Sequence, residues 1–97
     1  MEPLSAVVPS AIRTILQRGP MSPGKLRLAW RLAVGPAMDR ATKVALLDDG
    51  RVEVAAADAA WRREVKRSQA MILSRLQALI GGESPTKLHI VSRPLER

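Results

Sequence analysis

Residues 51–70 read RVEVAAADAAWRREVKRSQA, and the change of period inside this stretch decides the fold. Val52, Val54 and Ala56 alternate with Arg51, Glu53 and Ala55. That is the two-residue period of a strand with one buried and one largely wet face. From Asp58 the period lengthens. Trp61, Val65, Ser68, Ile72, Leu76 and Leu79 follow at intervals of three or four, the stripe of an amphipathic helix. From Trp61 to Ile80 it is about 30 Å long at 1.5 Å per residue. Asp58 suits its N-cap, because a short carboxylate accepts from free N–H groups of the first turn. Ser68-Gln69 weakens the middle of the stripe, where the helix is expected either to kink or to break in two. Gly81-Gly82 is a C-cap signal.

Working outward, KVALLDDGRVEVAAA (43–57) reads as a β-hairpin. Two aliphatic runs flank Asp48-Asp49-Gly50, and Asp-Gly supplies the positive φ of a tight turn. Downstream, TKLHIVS (86–92) is a last strand with Leu88 and Ile90 on one face. Upstream, SPGKLRLAWRLAVGP (22–36) is a helix capped by Ser22, with Pro23 in its first position. Leu26, Ala29, Trp30, Ala33 and Val34 share its apolar face. Gly35-Pro36 stops or bends it, and AMDRAT (37–42) adds one further turn if it bends. An earlier helix lies within Leu4 to Arg18, with Val8, Ile12, Ile15 and Leu16 at helical spacing. Either Ser5 caps it, or Pro9 sits in its first turn; Gly19-Pro20 ends it.

The expected order is α-α-β-β-α-β, or α-α-β-β-α-α-β if the long helix breaks. The helical crossover is long enough to lay the third strand parallel to the second. This is an α+β fold, a three-stranded sheet with helices on one face. Without the first helix, the broken version has the α-β-β-α-α-β order of type II KH domains, so the fold expected is KH-like. Residues 1–97 are read as a single domain, with 1–19 its N-terminal helix and 93–97 a short tail.

Composition narrows the function. The chain has 97 residues, 16 basic and 9 acidic, a net charge of +7. Such a balance favours polyanionic partners. With no Cys there is neither disulfide nor thiolate metal site. No apolar run approaches the ~20 residues of a membrane span. Glu2 and the lack of a positive leader argue against a secretory signal, which points to the cytoplasm. His89 is the only histidine and there is no tyrosine. Apart from Asp48-Asp49 in the turn, the acids are scattered. No catalytic constellation, metal-ligand cluster or phosphate loop is visible, so the reading is non-enzymatic, without cofactor.

The candidate site is the basic run after Trp61. Arg62, Arg63, Lys66 and Arg67 form two like-charge i,i+4 pairs, each costing an isolated helix a few tenths of a kcal/mol. Glu64 is the one acid near enough to offset them. A merely solvated face more often alternates its signs, so the run leans toward an anion-binding surface. Lys25, Arg27, Arg31 and Lys43 extend that surface if the two helices lie close. Trp61, in phase with Val65, is expected to pack inward, as is Trp30. Contact through phosphates gives binding with little sequence preference and steep salt dependence.

Taken in order, several pieces resemble the DciA-like family of bacteria. They are LRLAWRLAVGPAMDRAT, with Trp30 before Val34-Gly35; the strand with Val52 and Val54; Ala59-Ala60-Trp61; and the helix with Ile72, Leu76 and Leu79. The resemblance covers roughly Pro20 to Ser92. It implies a KH-like fold and a part in DNA replication, assisting the replicative helicase DnaB on DNA. Better-studied members commonly pair the domain with a flexible extension. Two other readings fit the residues: a KH-type RNA-binding module, against which the lack of a GXXG loop near Ser68 speaks, and an interaction module for an acidic protein partner. DNA is favoured over RNA as the polymer.

Overall fold

A computed structural model describes residues 9–82 and 84–91. Among the described residues four helices and three strands follow one another: α1 (Ser10–Gln17), α2 (Pro23–Arg40), β1 (Thr42–Leu46), β2 (Val52–Ala56), α3 (Ala59–Arg67), α4 (Gln69–Ile80) and β3 (Leu88–Val91). From α2 onward the order is α-β-β-α-α-β, that of type II KH domains. The sheet order is β1-β2-β3, with β1 antiparallel and β3 parallel to the central strand.

The hairpin turn follows from its residues. Gly50 takes φ +87°, which an L side chain resists. Its N–H donates to the Leu47 carbonyl at 2.9 Å, and the Leu47 N–H donates to Arg51 at 2.8 Å. Asp49 fastens the turn by accepting from the Arg51 N–H at 3.1 Å and pairing with its guanidinium at 2.6 Å. The backbone hydrogen bond is the main cause that holds the Asp49 carboxyl below its ordinary pKa.

Register sets the two faces of the sheet. Thr42, Val44 and Leu46 align with Ala56, Val54 and Val52, and Val52 and Val54 align with Leu88 and Ile90. These residues face the helices. Val52, Val54 and Leu88 join Leu16, Leu26, Trp30, Val65, Ile72, Leu76 and Leu79 in one buried cluster, so the helices cover one side of the sheet. The other side carries Lys43, Ala45, Glu53, Ala55, His89 and Val91. Ala55, expected on a wet face, is buried. Its strand is central, and Lys43 and Val91 flank its small side chain in register.

Helix α2 shows how Gly-Pro bends a helix without ending it. Ser22 Oγ accepts from the Lys25 N–H at 3.2 Å, and Pro23 occupies the first turn. Gly35 then leaves the helix with φ 84°, ψ 169°, a region open essentially to glycine alone. The following proline pushes its predecessor out of helical geometry and suits the first position of the turn that resumes. This post-kink turn ends at Arg40. At the break the Ala33 carbonyl accepts from Arg75 Nη1 of α4 at 3.0 Å, a side-chain partner at an interrupted helix.

Trp30 lies at 1% exposure beneath the kink. Its indole N–H donates to Thr42 Oγ1 at 2.9 Å, and that hydroxyl donates to the Met38 carbonyl at 2.7 Å. The relay ties α2, its post-kink turn and β1 together. Thr42→Val leaves the buried Trp30 indole N–H unpaired, while the Met38 carbonyl keeps the Ala41 N–H at 3.1 Å; it is expected to cost about 1–2 kcal/mol, read by urea unfolding.

Of the alternatives at the N-terminus, the late start fits the described part. Pro9, at φ −58°, ψ 145°, directly precedes α1. Its carbonyl accepts from the Ile12 and Arg13 N–H groups at 3.1 Å each. Ser5 and the stretch from Leu4 to Val8 lie outside the described residues, as does the tail 93–97. The long helix is broken in two, at Ser68 (φ −92°, ψ 5°). Its first half packs on β2 and β3, its second on α1 and α2.

Candidate nucleic-acid interface

Helix α3 begins where expected: the Asp58 carboxylate accepts from the Trp61 N–H at 2.8 Å. Asp58→Ala is expected to cost about 1 kcal/mol and to speed hydrogen exchange at the Trp61 amide. Val65 is fully buried and fixes the inward direction of the helix. At about 100° per residue, Arg62, Lys66, Arg63 and Arg67 then fall, in that order, within an arc of about 140° on the far side. The sequence brings four cations to one ridge because they occupy neighbouring places on the side of this helix that Val65 and Trp61 leave free.

Their partners differ. Arg67 Nη2 lies 2.7 Å from Glu64 Oε1, an exposed i,i+3 pair. Such pairs contribute a few tenths of a kcal/mol and yield readily to a stronger anion. Arg62, Arg63 and Lys66 have no carboxylate partner among the described residues. Arg62 is half-buried at the inner edge of the ridge, whereas Arg63, Lys66 and Arg67 are exposed. The last three line an open cleft of about 550 Å³ with Ala60 and Glu64.

The secondary candidates divide. Arg27, Arg31 and Lys43 meet in a second open cleft of about 500 Å³, with Asp39, Thr42 and Trp30 in its wall. Edge strand β1 brings Lys43 beside two arginines one turn apart on α2. Lys25 is otherwise engaged: its ammonium donates to the Arg18 carbonyl, and to that of Pro20 at 3.1 Å. It closes the turn after α1 and is no part of either cleft. The clefts share no lining residue, because α2 lies against α4 and β1, not along α3.

Trp61 turns inward as expected, but not deeply. It packs against the core but is only half-buried. The post-kink turn does not cover it, and an open groove of about 440 Å³ runs between them, lined by Val34, Ala37, Met38, Ala60, Trp61 and Glu64. Ala60 and Glu64 also line the cationic cleft, so the two depressions adjoin. Periodicity gave the direction of the indole; its depth depends on a turn 23 residues earlier. The one signal for it in the sequence was Gly35-Pro36, which places that turn.

Among the described residues no group of three or more His, Cys, Asp or Glu side chains gathers that could hold a metal ion. None of the described helices is long and apolar enough to cross a membrane. No curated protein matches the chain. The sequence model of the family described as Dna[CI] antecedent, DciA, matches residues 3–90. That span holds every element from α1 into β3, the ridge, both clefts and the groove. The chain therefore belongs to the DciA family, and with membership comes an accessory, helicase-loader-like role.

Proposed function

We propose that this protein is a non-enzymatic accessory of the replicative helicase that holds DNA by its phosphates. Arg63, Lys66 and Arg67 would make the principal contacts, with Arg62 at their inner edge and Arg27, Arg31 and Lys43 as a second set. The observation that carries this reading is the ridge itself. Four cations turn away from one capped helix, and three of them lack a carboxylate partner among the described residues. A folded domain with no use for a polyanion gains nothing from like-charge i,i+4 pairs. Phosphate contacts would position DNA without reading its sequence, which suits an accessory acting wherever the helicase is placed.

The test is a binding titration against single-stranded DNA, duplex DNA and RNA at several salt concentrations. If about five phosphates of a duplex are neutralised, log K falls against log salt with a slope near −4 to −5. A slope near zero would refute the reading, and a tenfold preference for RNA over DNA of the same sequence would move it to a KH-type RNA module. Retention of the helicase on immobilised protein after nuclease treatment tests the partner separately. Its loss on nuclease treatment would mean that the two proteins meet only through DNA.

A further inference from the structure

Neighbouring depressions of opposite character on α3 go beyond phosphate binding. The groove beside Trp61 is apolar on five of its six lining positions, and the cleft beside it is cationic. They are continuous through Ala60 and Glu64. A duplex offers phosphates but keeps its bases stacked inside. A single strand offers both, one π-face per nucleotide beside one phosphate. We propose that the Trp61 groove takes an unstacked base of a single strand whose adjoining phosphates lie on Arg63, Lys66 and Arg67. This rests on the nucleic-acid reading above and gives it a substrate class: single strand over duplex.

Three features support that occupant. The indole is held at the groove by packing against the core, so little freedom is lost when a base stacks on it. Val34, Ala37 and Met38 face it across the groove and offer an apolar opposite wall. Glu64, on the shared rim, is neutralised by Arg67 at 2.7 Å. Its second oxygen accepts from Ser68 Oγ at 3.4 Å, so it does not meet the backbone as a free carboxylate would.

The protein carries its own reporter. It has two tryptophans; Trp30 is 1% exposed in the core, so a change in fluorescence on binding reports Trp61. The probes are a 12-nucleotide DNA strand, an abasic strand of the same length and charge, and the corresponding duplex. The base-bearing strand is expected to quench fluorescence and to bind about five- to tenfold more tightly than the abasic strand, the lower range for one stacked base. Trp61→Leu should remove that advantage, Trp61→Phe should keep most of it, and duplex affinity should not change. Equal binding of base-bearing and abasic strands without quenching would overturn the groove proposal and leave phosphate binding intact. Failure of all three probes to bind would overturn both. The comparison of strands uses the unaltered protein, so it holds even if a Trp61 variant folds poorly.

Discussion

Reversing two charges, Arg63→Glu with Arg67→Glu, is expected to lower DNA affinity by about a hundredfold or more near 0.1 M salt. The same change should reduce the magnitude of the salt slope by about 2. Each phosphate contact contributes about 0.9 to that slope on duplex DNA, and the variant removes two contacts. It also places carboxylates against the backbone and strips Glu64 of its partner, so the loss exceeds that of simple neutralisation. Both side chains are exposed, and the fold should survive with its circular dichroism and urea midpoint nearly unchanged. The same reversal at Arg27 and Arg31, in the second cleft, should cost less. A neighbouring carboxylate, Asp39, already lines that cleft. Unchanged affinity in the α3 variant would remove the ridge from the account.

The largest effect on stability is expected at Trp30. Trp30→Ala removes the biggest fully buried side chain of the domain and leaves the Thr42 hydroxyl without its donor. Large-to-small changes of this kind cost about 3–5 kcal/mol. A chain of this length is commonly stable by about 5–15 kcal/mol, so the variant approaches the limit of folding. The urea midpoint should fall by about 2 M, taking a slope of about 2 kcal/mol per M. Trp30→Phe keeps most of the volume and should lose much less. A fall under 0.5 M for the alanine variant would show that the core closes over the space, or that the indole carries little of the packing. Trp61→Ala, at the half-buried position, should cost less than Trp30→Ala; the contrast measures the difference in depth between the two indoles.

Local signals were legible where the local residues decide the backbone. Asp58 and Ser22 cap their helices because a short acceptor beside the first free N–H groups needs no tertiary help. Asp49-Gly50 makes its turn because the glycine takes the positive φ. The parallel placement of β3 followed from the length of the crossover. The break at Ser68 was visible as a polar residue in an apolar stripe, but whether the helix would kink or separate depended on what each half packs against. α3 meets the sheet, α4 meets two helices, and one straight rod could not do both.

The site was legible in part for the same reason. Four cations in six residues declare a ridge on any helix that buries Val65. Which cations stand free is a tertiary matter. Lys25 is drawn to backbone carbonyls by the turn after α1, and Arg75, on the face of α4 toward α2, fills the gap that Gly35 opens. Arg27 and Arg31 needed β1 to bring Lys43 beside them. The groove at Trp61 exists because a bent helix resumes next to α3 and stops short of the indole. Only pairwise packing fixes such a relation.

The most direct measurement of the central claim is a residue-by-residue map of contact with DNA. Backbone amide shifts of isotope-labelled protein, followed by NMR while a 12-nucleotide single strand is added, would provide it. Shifts concentrated at Ala60 to Arg67, with a second, weaker group at Arg27, Arg31 and Lys43, are the predicted result. Shifts confined to Ala45, Glu53 and His89 on the open face of the sheet would place DNA on the opposite side of the molecule and contradict the account.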